Sequence, residues 1–241
     1  MFLHGYDYHH HASITPITQA ILIGDLASSY SISTLIRYSI TAIVSLGLSP
    51  SLEWSRPGNL KLVPEKKHLF VVCDDSATED LLVKLAGICD FIDEQTAEPD
   101  LGRILQQAEE ESILMGCTSG RGSSSSSGVL ALTQPGKVLV HCSQGVSRSP
   151  TVVIAYLMRK QKRGLRSVLA EVKMKRREVN PCDNFMEQLR IWEEVQFEIW
   201  EDNAKTVPKE QYRRFLEKKA EREMWEKERD KCAAHSPKWG H

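Results

Sequence analysis

Cys142 and Arg148, with five residues between them, mark the ends of a segment whose residue types suit phosphorus chemistry: His141-Cys142-Ser143-Gln144-Gly145-Val146-Ser147-Arg148-Ser149. The apolar run Val138-Leu139-Val140 leads in, and a helix-like run from Thr151 to Lys160 leads out. A strand, a tight Gly-containing loop and a helix start form a nest of backbone N–H groups converging on one point, which suits a dianionic phosphate. A thiolate at the base of that nest faces phosphorus as a nucleophile.

The attacking species is the thiolate, and a free cysteine titrates near ~8.5. The helix N-terminus, the converging amides and the Arg148 guanidinium all favour negative charge at Cys142, so its pKa is expected to fall. Arg148 can grip two phosphate oxygens at once, which lysine cannot. Gly145 lets backbone approach a ligand with no Cβ in the way. Ser149 offers a hydroxyl to stabilise the thiolate when it leaves. His141 is expected to hold the cysteine from behind by hydrogen bonds and not to donate the reaction's proton. The side chains and amides of Ser143, Gln144, Gly145, Val146 and Ser147 complete the expected substrate cradle.

Elements that could position this loop are spread along the chain. Thr18 to Leu26 reads as a strand ending in a Gly24-Asp25 turn, Ser31 to Arg37 as a short helix, Ile40 to Leu46 as a buried strand, and His68 to Cys73 as another. Ser49 to Glu65, with its prolines and Gly58, reads as a long loop. Leu81, Leu82, Leu85, Ile88 and Ile92 recur at helical spacing. Beyond the loop, Thr151 to Arg163 reads as a buried helix ended by Gly164, with further helices over Leu165 to Arg177 and Asn184 to Glu198. The alternation implies an α/β fold, a central sheet flanked by helices.

The segment HCSQGVSRSP followed by TVVIAYLM resembles the signature of cysteine-based dual-specificity protein phosphatases. The resemblance runs from about Ile14 to about Glu194. It takes in ILIGDL near Ile21, SITAIVSL near Ile40, Cys73-Asp74-Asp75-Ser76, Asp90-Phe91-Ile92-Asp93 and Asn184-Phe185-Met186-Glu187-Gln188-Leu189, in the family's order. It implies a mixed central sheet and a protein phosphatase that hydrolyses phosphotyrosine and phosphoserine or phosphothreonine through a cysteinyl-phosphate, with no cofactor or metal. A non-protein substrate (a phosphoinositide or an RNA 5′-phosphate) and a non-catalytic phosphate-binding scaffold are the alternatives. The loop lacks the lysine that phosphoinositide enzymes of this kind often carry.

A phosphomonoester hydrolase of this type needs an acid for the leaving oxygen and a base for the water that follows. The resemblance points to Asp75 as that acid. Asp74 is its rival, and capping of the next helix together with Ser76 is the structural alternative. Arg177 lies where some members of the family hold a second basic contact to substrate. Where the family commonly has Pro-Asn, this chain has Pro181-Cys182, which leaves Cys182 as a candidate resolving thiol for an oxidised Cys142.

The chain has 241 residues, 41% of them hydrophobic, and a net charge of −1, so bulk charge argues for neither nucleic-acid nor membrane binding. Six scattered cysteines form no C-x-x-C pair and no evident disulfide framework, which favours a reducing compartment, cytoplasm or nucleus. The N-terminus lacks the pattern of a signal peptide. Residues 1–13, with the tract His9-His10-His11, read as a flexible N-terminus, 14–199 as the catalytic domain and 200–241 as a charged helical tail. A Ser-rich insertion near 94–135 departs from the family pattern; it holds Glu109-Glu110-Glu111 and Ser123 to Ser127, with a possible helix over Leu101 to Leu114. In the tail, Glu and Lys or Arg recur four apart from Lys209 to Lys231, and Tyr212, Phe215, Leu216, Met224 and Trp225 form a broken stripe. That pattern fits a solvated helix or one that docks a protein partner. Cys232, His235 and His241 are too few for a four-coordinate metal site.

Overall fold

The computed structural model describes residues 12–98 and 135–234. The histidine tract, Leu101 to Leu114, Glu109 to Glu111, the serine tract, His235 and His241 lie outside the described residues. Five strands form one mixed sheet: β1 Ile14–Pro16, β2 Ile21–Gly24, β3 Ala42–Gly47, β4 His68–Val72 and β5 Val138–His141. Their order is β1-β2-β5-β3-β4, with β1 antiparallel to β2 and the remaining pairs parallel. The eight described helices are α1 Leu26–Tyr30, α2 Ile32–Tyr38, α3 Pro57–Leu62, α4 Leu82–Thr96, α5 Arg148–Gln161, α6 Leu165–Lys175, α7 Asp183–Glu194 and α8 Glu210–Ala234.

Strand periodicity divides the core in two. Ile21, Ile23, Ala42, Val44, Val138 and Val140 face the larger cluster, built with α4 to α8. Leu22, Ile43 and Leu139, one residue out of phase, face a smaller cluster with Leu35 of α2 and Leu62 of α3. A sheet buried on both faces accounts for the near-continuous apolar runs of β3 and β5. The expected central mixed sheet flanked by helices is therefore the observed architecture.

Several boundaries moved. The run Thr18 to Leu26 is not one strand: Thr18 Oγ1 accepts from the N–H groups of Ala20 and Ile21 at 3.2 and 3.0 Å, a turn that pairs β1 with β2. Within the expected loop from Ser49 to Glu65, Leu52–Ser55 forms a 3₁₀ turn and α3 follows. Pro57 is the first residue of α3, where its missing N–H and fixed φ cost nothing. Gly164 precedes α6, and Lys162 in the left-handed region ends α5. α4 continues to Thr96, into the stretch expected to be insertion.

The charged tail helix is not solvated along its length. Tyr212 and Phe215 in the first turns of α8 are buried in the main core, whereas Met224 and Trp225 further along are exposed. Among the described residues, no helix is long and apolar enough to cross a membrane.

Candidate active site

β5 is the central strand, and it delivers Cys142 at its C-terminal end, outside the carboxyl edge of a parallel sheet where ligands of α/β folds bind. α5 starts at Arg148, three residues earlier than the hydrophobic pattern predicts, so its first turn belongs to the loop and points free N–H groups at the cysteine. Gly145 has φ +70°, and a Cβ there would lie 2.6 Å from the Gly24 carbonyl and 2.8 Å from Arg176 Nη2. Gly145 is thus required by the loop's own packing, beyond any ligand approach.

Cys142 is buried, and its Sγ accepts from the Gly145 N–H at 3.3 Å and the Ser149 hydroxyl at 3.4 Å. Burial alone would push this thiol up. The hydrogen bonds from the Ser149 hydroxyl, the Ser149 and Gly145 amides and the charge of Arg148 outweigh it and hold the thiol below the ordinary cysteine value. Cys73 and Cys89, buried without such donors, are pushed up to about 12.

Arg148 is fixed by Nη1 donating to the Cys73 carbonyl at 3.1 Å and Nη2 to Ser143 Oγ at 3.0 Å. Its Nε is buried with no hydrogen-bond partner; the nearest acceptor charge is Asp75 Oδ2 at 3.8 Å. A buried guanidinium donor left open beside a thiolate is a place for an anionic oxygen.

His141 sits beneath the loop, with Nδ1 at 3.3 Å from the Cys142 carbonyl and Nε2 at 2.5 Å from Ser45 Oγ. It therefore positions Cys142 from behind through the backbone carbonyl. Ser45 Oγ also meets His68 Nε2 at 2.7 Å, and Trp54 packs edge-on against both imidazoles. Burial lowers His141 to about 3 and His68 to about 4, so both rings are neutral and neither is a proton donor at neutral pH.

Both candidate acids reach the site. Asp74 lines the cavity beside Cys142, while Asp75 Oδ1 accepts from the Ser147 hydroxyl at 2.7 Å and Oδ2 faces Arg148. The Asp75 N–H donates to Asp74 Oδ1 at 2.8 Å, so Asp74 also braces its neighbour. α4 begins at Leu82, too far along for Asp75 to cap it. Two α7 side chains clamp the segment that carries the candidate acids. Asn184 Nδ2 donates to the Ser76 and Glu79 carbonyls at 2.9 Å, and Gln188 spans the Glu79 carbonyl and the Leu81 and Leu82 N–H groups.

Of the two neighbouring arginines, the one packed on the loop is one position before the expected substrate contact. Arg176, not Arg177, is buried against the loop. Its Nε donates to the Gly145 carbonyl at 3.0 Å, its Nη2 to the Gln144 carbonyl at 3.1 Å, and its other donors reach Ser13 and Thr15. Arg177 is exposed beside it. A signal for this was available: Val168 and Val172 lie on the buried face of α6, and Arg176, the residue that ends the helix, continues their four-residue spacing while Arg177 does not. Cys182 contributes its N–H to Ser147 Oγ at 3.2 Å, and burial raises its thiol. That rise argues against its acting as a ready resolving thiolate.

A cavity of about 310 Å³ opens over Cys142, Ser143 and Arg148, walled by Leu26, Leu46, Leu48, Trp54 and Phe70. Among the described residues that line it, Arg148 is the only cation.

Residues 129–195 match the family model described as "Dual specificity phosphatase, catalytic domain". "Tyrosine-protein phosphatase yvh1" of Schizosaccharomyces pombe is 28% identical over 137 residues, covering 57% of this chain and 31% of that protein. "Dual specificity protein phosphatase MPK-4" of Drosophila melanogaster is 28% identical over 180 residues, covering 75% and 36%. The chain thus matches about a third of the length of these two relatives. Among solved structures, the Yvh1 phosphatase domain from Chaetomium thermophilum superposes with a TM-score of 0.54 at 25% identity, over 76% of this chain and 95% of that one. Sheet, loop and these matches together support a likeness to the cysteine-based dual-specificity phosphatases.

Proposed function

We propose that this protein is a phosphatase that hydrolyses phosphotyrosine and phosphoserine or phosphothreonine esters of proteins through a cysteinyl-phosphate. The observation that carries this reading is the buried Cys142 sulfur, hydrogen-bonded by Gly145 and Ser149 next to an Arg148 Nε with no partner. Phosphate oxygens occupy the loop, with Arg148 and the backbone amides as donors. The Cys142 thiolate forms an S–P bond as the P–O bond to the leaving group breaks, and Asp75 gives its proton to the departing oxygen. Water then attacks phosphorus and loses its proton to the Asp75 carboxylate. The S–P bond breaks, the electron pair returns to sulfur, and the Ser149 hydroxyl donates to the restored thiolate.

Protein substrates are favoured by the names of the relatives and by the cavity wall. Trp54, Phe70 and three leucines offer an apolar surface to an aromatic or aliphatic phosphoester. Among the described lining residues, a polyanionic headgroup would find Arg148 and no second cation, next to Asp74. A thiolate nucleophile also fits a reducing compartment, cytoplasm or nucleus.

The test is turnover of matched phosphotyrosine, phosphothreonine and phosphoinositide substrates by the whole chain and by Cys142→Ser. Hydrolysis of the phosphopeptides is expected, lost in the variant while phosphopeptide binding persists. Turnover that survives Cys142→Ser, or activity confined to phosphoinositide, overturns the reading.

A further inference from the structure

The segment 74–81, which carries both candidate acids, has no regular secondary structure and is held from outside. Part of that support is the clamp from Asn184 and Gln188 of α7. The rest comes from α8, far along the chain. The Tyr212 hydroxyl donates to Asp80 Oδ2 at 2.7 Å. Arg222 Nη1 lies 3.3 Å from the Ala77 carbonyl and 3.4 Å from Asn184 Oδ1, while its Nη2 donates to Glu187 Oε2 at 2.8 Å. Lys218 Nζ donates to the other oxygen of Glu187 at 3.0 Å. One helix therefore touches the acid segment at Ala77 and Asp80, each one residue after an α7 contact at Ser76 and Glu79, and also grips the clamp residue Asn184. Core burial of Tyr212 and Phe215 fixes the helix in place.

These contacts exceed what anchoring a surface helix requires. The two buried aromatic rings attach α8 to the core, whereas Tyr212 Oη and the Arg222 guanidinium are directed at the acid segment. We infer that Tyr212 and Arg222 are positioning residues for the general acid, so that α8 is a strut of the proton-transfer step although no atom of it lines the catalytic cavity. The inference rests on the reading of Asp75 as the acid. It deepens that reading by making the helix part of the acid's geometry. The strut holds the backbone of 76–80, which fixes where the Asp75 carboxyl sits relative to Ser147 and Arg148. The thiol is set by Gly145, Ser149 and Arg148, none of which α8 touches. Loss of the strut should therefore weaken protonation of the leaving group and leave the nucleophile intact.

The experiment measures kcat/KM across aryl phosphates of rising leaving-group pKa for the wild type, Asp75→Asn, Tyr212→Phe, Arg222→Gln and the double variant. Iodoacetate alkylation of Cys142 is followed in each. Tyr212→Phe keeps the ring in the core, and Arg222→Gln alters a side chain only partly buried, so both are expected to fold; thermal melts check this. The prediction is a steep leaving-group dependence for Asp75→Asn and an intermediate one for the double variant. The double variant should lose about tenfold on poor leaving groups and almost nothing on good ones. Its alkylation rate should match the wild type. If Asp75→Asn steepens the dependence and the double variant tracks the wild type, or falls equally on every substrate, the strut is overturned while the acid stands. A wild-type dependence in Asp75→Asn overturns the acid assignment and the strut with it.

Discussion

At Cys142 two large effects oppose each other. Burial favours the neutral thiol, as it does at Cys73 and Cys89, and donors aimed at the sulfur favour the thiolate. The donors prevail because the first turn of α5 and the loop carry their N–H groups and the Ser149 hydroxyl to one point. A hydrogen bond to a charged group contributes roughly 1.5–3 kcal/mol. Ser149→Ala is therefore expected to slow breakdown of the S–P intermediate about 10- to 100-fold, since sulfur then leaves without its hydroxyl donor. Pre-steady-state kinetics would show a larger burst followed by a slower steady rate. An unchanged steady rate would mean that the hydroxyl plays no part in the second step. The thiolate and guanidinium were legible in the sequence because their spacing is itself the signal. The role of His141 was only half legible: a histidine before the cysteine announces a contact, but the backbone carbonyl as its target emerges only from the fold.

At the scale of elements, the loop is held by partners on both sides. Asn180 donates to the Val146 carbonyl at 2.8 Å, Leu26 to the Ser143 carbonyl at 3.2 Å, and Arg176 to the carbonyls of Gln144 and Gly145. Buried carbonyls stripped of a charged donor cost about 1–3 kcal/mol each. Arg176→Met is expected to lower stability by at least about 2 kcal/mol and to cut kcat/KM more than tenfold as the loop relaxes. Arg177→Met, at an exposed position, should stay within about 0.5 kcal/mol of wild type in the same denaturation series. A larger stability loss in Arg177→Met than in Arg176→Met would contradict the structure. Strands β3, β4 and β5 and the buried helix α5 could be read from apolar runs. α3 could not, because Pro57 and Gly58 carry the composition of a loop although Pro57 is a helix-starting residue here. The support for the acid segment was hidden for a different reason. Asn184 and Gln188 were visible only as a motif, and Tyr212 and Arg222 act across 132 and 145 residues of chain, where no spacing rule reaches.

Over the whole molecule, the site rests on a polar line, His68–Ser45–His141, that runs across β4, β3 and β5, with Ser45 and His141 buried and His68 half-buried. Both imidazoles are neutral in the fold, with values lowered from 6.5 to about 4 and about 3 by burial. Below pH 6.5 the unfolded chain binds protons that the folded chain refuses, so the free energy of unfolding rises with pH in that range. Stability is expected to be complete above pH 6.5 and to fall by about 1.4 kcal/mol per pH unit for each histidine as pH drops toward 4. Urea midpoints measured across this window should decline, with a shallower slope in His68→Gln. A flat profile would contradict a neutral pair. The enclosure of this pair beneath the loop could not be read from sequence, since His68, Ser45 and Trp54 meet His141 only once the sheet is assembled.

The central claim is that phosphorus passes through the sulfur of Cys142. Acid-quenched enzyme, sampled by mass spectrometry during turnover of a phosphopeptide, measures this directly, and Asp75→Asn slows the water step so that any adduct accumulates. The account predicts one phosphate on the peptide that carries Cys142, absent from Cys142→Ser. Turnover with no phosphocysteine in either form, or phosphate on another residue, would contradict it.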